Sequence, residues 1–270
     1  RLVVPGSGKM LALCALLLLI VTGLTPSQWD EFSHWLLAGR YLFEIDGFPG
    51  AGYPPTIAEF PAYPNGVPLI AYLISTVARF YVENAGALFN VFLLLSFAQV
   101  FVRLVRQGLS LPTDNGSGWG LAALGILGVT VFSTTFVQKV IFTAYSDLPT
   151  AAALAFAGVT GWYVLDALAT DDGAQARHHA WRMGLILAVL VNVRQANLVL
   201  FVFLLAGLGL AAWRDPSVKM TRLLAVAPAI VGPAIVIYVV WQFHVSGDLA
   251  SGAQKVLPVE RWNLDVIPEI

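Results

Sequence analysis

The sequence predicts an all-α fold: a polytopic transmembrane helical bundle of about seven spans, with juxtamembrane helices in its first outer loop. Three observations carry this expectation. Hydrophobic residues make up 58% of the 270 and charged residues only 11%. A soluble domain has about a quarter charged residues, so too few charges are present here to cover a surface in water. The apolar residues fall in runs that approach the ~20 a helix needs to cross a bilayer. The basic residues collect between alternate pairs of runs, as the positive-inside rule requires.

The runs expected to cross are residues 10–25, 86–102, 119–136, 148–168 and 223–243, together with a hairpin over residues 183–213 that turns at Arg194-Gln195-Ala196-Asn197. Residues 67–82 are apolar but short, and begin just after Tyr63-Pro64-Asn65-Gly66. Keeping them at the surface puts Arg1, Lys9, Arg103, Arg106, Arg177, Arg182, Arg214, Lys219 and Arg222 on the cytoplasmic side, 9 of the 15 basic residues. Letting them cross would send Arg103 and Arg106 outside. The expected arrangement is therefore seven crossings of a cell membrane with the N-terminus cytoplasmic. The chain reads as a single membrane domain over residues 1–270, with residues 26–85 as the outer loop. Because it opens on Arg1, it is expected to be a fragment of a longer protein. Its one cysteine, Cys14, lies in an apolar run and reads as a small buried hydrophobe.

Within the outer loop, Phe32, Trp35, Leu36, Gly39 and Leu42-Phe43 fall on one helical stripe, with His34, Arg40 and Glu44 mostly off it. That pattern predicts a helix lying along the membrane surface, with His34 facing solvent. Pro49, Pro54, Pro55, Pro61, Pro64 and Pro68 then predict a rigid, turn-rich stretch. Residues 67–82 would form a second interfacial or re-entrant helix.

Three features reach the outer face. Asp30 and Glu31 emerge directly after the first span; they fit interfacial acids beside Trp29, or a catalytic carboxylate with its neighbour tuning charge or holding a cation. Asp147, in Tyr145-Ser146-Asp147-Leu148-Pro149, fits a helix start with Ser or Asp as cap and Pro in the first turn, and also returns a carboxylate to the face that carries Asp30. Arg194 sits at the tip of the hairpin. It fits a snorkelling arginine or a phosphate clamp, because a guanidinium offers forked donors to an anionic oxygen.

The order Trp29-Asp30-Glu31, Tyr63-Pro64-Asn65-Gly66-Val67-Pro68-Leu69, Tyr145-Ser146-Asp147-Leu148-Pro149 and Arg194-Gln195-Ala196-Asn197 resembles the GT-C superfamily of integral-membrane glycosyltransferases. The layout is similar to its protein O-mannosyltransferase and aminoarabinose-transferase branches. The likeness runs over about residues 10–243 as scattered short motifs, and departs from the family at Asn65, where a second proline is usual.

The resemblance implies an enzyme that transfers sugar, with inversion, from a polyprenyl-phosphate donor to an unknown acceptor. It implies Asp30 as catalytic base with Glu31 the alternative, Arg194 or more weakly Lys139 neutralising the lipid phosphate, Asp147 holding a cation or positioning the acceptor, and Tyr63 and Asn65 lining the cavity. Metal ligands are unknown, and a divalent cation is left open as cofactor. The partners expected are membrane lipids, the lipid-linked donor and the acceptor. The competing class is a multi-pass transporter or lipid flippase, which a broken hairpin and an arginine near the bilayer would also suit.

Other chemistry finds little support. No Cys/His cluster suggests zinc, no basic surface suggests nucleic acid, and His178-His179 beside Arg177 reads as a solvated cytoplasmic loop. Gly6-Ser7-Gly8-Lys9 echoes half a phosphate loop but precedes an apolar run rather than following a strand.

Overall fold

The computed structural model describes residues 6–111, 118–133 and 136–249. The apolar runs become helices, and the described residues contain no strand. Helix α1 is Ser7–Thr22, ended by Gly23 ahead of Pro26. One π-helical turn, Glu31–Trp35, runs into α2, Leu36–Ile45. Then follow α3, Gly66–Ala78, and α4, Ala85–Gly108. Next come α5, Trp119–Val129, and the short α6, Gln138–Ile141. The chain continues with α7, Asp147–Ala169, α8, Gly173–Val193, α9, Asn197–Arg214, and α10, Met220–Asp248.

Four of these helices, α4, α7, α9 and α10, are long and apolar enough to cross a membrane; α1, α3 and α5 are apolar but shorter. The surface agrees with such a setting. Leu16, Phe203, Val236 and Phe243 are each well over half exposed, and a continuous apolar exterior of this kind suits lipid better than water.

Several boundaries differ from those expected, each for a local reason. The expected crossing at 119–136 stops being helical at Val129, where Thr130, Val131 and Ser133 interrupt an Ala/Leu/Gly helix with β-branched and hydroxyl side chains. The first arm of the hairpin gains a full polar turn and more, starting at Gly173 instead of residue 183 because Asp172 caps Gln175. His178 and His179 are consequently helical, and His179 stacks on Tyr163 with ring centroids 5.4 Å apart. Helix α3 ends at Arg79, which takes a left-handed conformation with φ of 64°.

Two of the buried clusters are the largest. Met183, Leu187, Leu190, Val164 and Ile230 centre a core shared by α7, α8, α9 and α10. Cys14, Val21, Val91 and Leu95 centre a second core between α1 and α4. Helices α8 and α10 touch at Gly184, where a Cβ would run into the Ala229 carbonyl, so only glycine permits this approach.

Contacts also distinguish the two ends of the bundle. At one end, Lys9 lies 5.9 Å from the Trp119 ring and the Tyr163 hydroxyl donates to Gln107 at 2.9 Å. At the other, Trp241 of α10 donates to the Ala62 carbonyl at 3.0 Å, joining the last helix to the first long loop. The residues singled out from the sequence gather at this second end.

Candidate functional site

The site is built on the segment 143–146, which joins α6 to α7 and is fixed from two sides. Asn90 is a fully buried amide in the apolar α4, and its Nδ2 donates to the carbonyls of Thr143 at 2.8 Å and Tyr145 at 3.1 Å. Two turn carbonyls that would lack partners in an apolar setting are thereby satisfied. Gly86, one turn earlier on α4, lets Ala144 approach until a Cβ at position 86 would lie 2.7 Å from the Ala144 methyl.

From the other side comes Glu31. Only 2% of it is exposed. Its Oε2 accepts the backbone N–H groups of Ser27 and Gln28 at 3.0 and 3.1 Å, and its Oε1 accepts that of Ala144 at 2.8 Å. Three backbone donors on one carboxylate are strong, charge-assisted bonds. They clasp the head of the first loop to the segment before α7. Asp30, one residue earlier, is left exposed at the site surface.

Tyr145 lies where the carboxylates meet. Its hydroxyl accepts the Asp30 N–H at 3.3 Å. Burial pushes its phenol up; the bond from Asp30 opposes this, and the charges of Asp30, Glu31 and Asp147 add to it. Asp147, exposed in the first turn of α7, is paired with Arg194 at 3.8 Å between Oδ1 and the guanidinium. Arg194 is the extended residue that ends α8. The hairpin is held to α7 by Asn197, whose Nδ2 donates to Thr150 Oγ1 at 3.0 Å and to the Leu190 carbonyl at 2.9 Å. Asp30, Asp147 and Arg194, 164 positions apart along the sequence, thus share one end of the bundle and one cluster.

His34 corrects an expectation. It is buried, with 3% exposed, instead of facing solvent. Trp35, Phe60 and Tyr63 surround its ring edge-on, with centroids 4.7 to 5.7 Å away. The physical reason is a rotation of the expected stripe: Glu31, His34, Trp35, Ala38, Gly39 and Leu42 are the buried positions, and Phe32 points out. Both ring nitrogens are without a hydrogen-bond partner. Burial drives the imidazole down to about 4, with Asp30 pulling it back up less strongly and Arg194 pushing further down. The imidazole is therefore neutral at pH 7, within reach of the charges of both Asp30 and Arg194.

Tyr63 reaches the site through His34. Asn65 is buried, caps α3 by accepting the Leu69 N–H at 2.8 Å on its carbonyl, and keeps an unpaired Nδ2. Lys139 is exposed on α6 and is not among the charges acting on His34 or Tyr145. Among the described residues, no group of three or more His, Cys, Asp or Glu side chains is gathered as a metal site.

Sequence reasoning passed over Asn90 and Tyr145. Asn90 carried a signal, being the one amide inside an otherwise apolar stretch before Ser96, and polar residues in such stretches are rarely without a role. Tyr145 opens the motif Tyr145-Ser146-Asp147-Leu148-Pro149, but nothing in the sequence sets it beside Asp30.

Beside the ion pair opens an apolar groove of about 460 Å³ between α3, α4, α7 and α8. It is lined by Gly66 and Leu73 of α3, Phe89 of α4, Pro149 and Phe156 of α7, and Val189 of α8. Pro149 is two residues from Asp147, and Phe156 lies about 10 Å further along α7, so the groove descends from the charged end. No family model, curated protein or solved structure matches the chain.

Proposed function

We propose that the chain is a membrane glycosyltransferase that moves a sugar from a polyprenyl-phosphate donor to an acceptor hydroxyl at the outer face of a cell membrane. It would cross seven times, as α1, α4, α5, α7, α8, α9 and α10, with a cytoplasmic N-terminus. The observation that carries the proposal is the assembly of Asp30, Asp147 and Arg194 into one cluster at the end of the bundle away from Lys9 and Gln107. This is the grouping that the resemblance to the GT-C superfamily implies.

Each residue takes a role that its surroundings suit. Asp30 is exposed and held near Tyr145 only through its backbone N–H, so its carboxylate is free to accept the acceptor's proton. As that proton leaves, the acceptor oxygen bonds to the anomeric carbon from the face opposite the phosphate. The bond from that carbon to the phosphate oxygen breaks, and the electron pair goes to the lipid phosphate. Arg194, half exposed and loosely paired with Asp147, meets the growing charge on that phosphate. Glu31 is occupied by three N–H groups and is a positioning residue. The lipid chain would lie in the groove that descends from Pro149 to Phe156.

The test supplies labelled polyprenyl-phosphate sugar to membranes carrying the protein and follows the label from lipid to acceptor. Asp30→Asn is expected to lower transfer by at least ~100-fold, the lower end of what general-base catalysis contributes, while Arg194→Ala weakens donor binding. Unchanged transfer by Asp30→Asn overturns the role of Asp30. Net movement of lipid across the bilayer without transfer overturns the enzyme in favour of a flippase.

A further inference from the structure

The far end of the bundle carries a second recess that the proposed reaction does not use. A cavity of about 520 Å³ lies between the start of α8 and the start of α10, lined by Asp171, Arg177, Trp181, Arg222 and Pro228 among others. A second, of about 730 Å³, runs on between the same helices past Leu185, Val189, Val236 and Val240. Both are lined by Trp181 and Pro228, so they meet end to end alongside the contact at Gly184. From Arg177 to Asn192 the lining runs 15 positions along α8, about 22 Å of helix. That exceeds the ~15 Å of hydrocarbon in one leaflet.

The two ends of this groove differ in kind. The long part is apolar, and Leu185, Val189, Val236 and Val240 are each more than half exposed along it, which opens it sideways. The short part is basic. Arg177 and Arg222 both line it, Arg222 is bonded to Asp171, and Lys219 also acts on Asp171. Asp172 is turned to capping α8. Two guanidinium groups therefore line the recess, and its one lining acid is already paired with Arg222. The Trp181 indole stands between the basic and apolar parts, the position tryptophan takes at the level of lipid headgroups.

We propose that this groove holds an anionic phospholipid, with its phosphate between Arg177 and Arg222 and one acyl chain along α8 and α10. Charge complementarity selects the headgroup, since guanidinium forks match phosphate oxygens and basic pockets between membrane helices hold anionic lipid heads. The length and lateral opening of the apolar part select a hydrocarbon chain. The site depends on the membrane setting but not on the transferase chemistry at the other end, about 25 Å away along α8.

The test uses the full chain in mild detergent, offered phosphatidylglycerol or phosphatidylcholine with identical chains, and counts retained lipid by native mass spectrometry. The expected result is about tenfold preferential retention of phosphatidylglycerol, equivalent to about 1.4 kcal/mol. The preference is lost in Arg177→Gln/Arg222→Gln and kept in Asp171→Asn. If the double variant fails to fold, Arg177→Gln, which breaks no ion pair with Asp171, is expected to lose most of the preference by itself. In parallel, brominated chains should quench the fluorescence that separates the unaltered protein from Trp181→Phe. Equal retention of the two lipids, full preference in the Arg177→Gln protein, or no quenching assignable to Trp181 overturns the proposal.

Discussion

At the scale of single residues, adjacent acids have different surroundings. Glu31 carries three backbone bonds and Asp30 carries none on its carboxylate that reach the buried clasp. Glu31→Gln removes the charge from those bonds and is expected to lower stability by about 1.5–3 kcal/mol, read as a lower midpoint of thermal unfolding in detergent. Asp30→Asn should leave that midpoint unchanged while transfer is lost. His34 gives a prediction in pH. Its folded-state value is depressed from 6.5 to about 4, so the unfolded chain binds more protons between those values and stability falls as pH falls through that window. The stabilising contribution of the neutral ring is fully present above about 6.5 and lost toward 4. His34→Phe, which keeps an aromatic ring against Trp35, Phe60 and Tyr63, is expected to flatten the dependence of unfolding temperature on pH between 6.5 and 4. An unchanged slope would show that other groups carry it.

At the scale of elements, the segment 143–146 is held in shape by α4 and not by its own helix. Asn90→Leu leaves the Thr143 and Tyr145 carbonyls without their donor. The expected cost is about 1–3 kcal/mol, with a loss of transfer that Asn90→Gln does not repair, since its donor lies one methylene too far out. The contact of α8 and α10 makes a separate prediction. Gly184→Val forces the helices apart at Ala229 and should destabilise by about 1–3 kcal/mol without changing the affinity of the remote charged end for donor. How far these elements were legible in sequence depended on whether the signal was local. The helix start at Ser146-Asp147, the break at Arg194–Asn197 and the apolar face of α2 are written in consecutive residues, although no side chain caps α7. The rotation of that face toward Glu31 and His34 is not, because it follows from bonds to Ala144, 113 positions away. The polar start of α8 was missed for a similar reason: a run containing Arg177, His178, His179 and Arg182 is too polar to read as part of an apolar arm, yet one aspartate cap and packing of Ala176 and Ala180 against the core make it helix.

At the scale of the whole molecule, the chain is a helical bundle whose polarity is sorted by its ends. Acids and one arginine collect where the long first loop, the 143–146 segment and the hairpin tip meet. The opposite end gathers Arg177, Lys219 and Arg222 with Asp171 and Asp172, and apolar helices exposed along their flanks join the two. Composition was enough to place the chain among membrane proteins, and four helices have the length for it; the proposed sidedness rests on the charge distribution between them. Whether Asp30, Asp147 and Arg194 share one outer face is read most directly from accessibility on each side of the membrane. In a Cys14→Ala background, single cysteines at Asp30, Asp147 and Gln195, and others at Arg177 and Lys219, are exposed to a membrane-impermeant thiol reagent in intact cells. Labelling from outside is expected at all of the first three, and labelling at Arg177 and Lys219 only after the membrane is opened. Labelling of positions 30, 147 and 195 from different sides would contradict it, because a shared site cannot then exist.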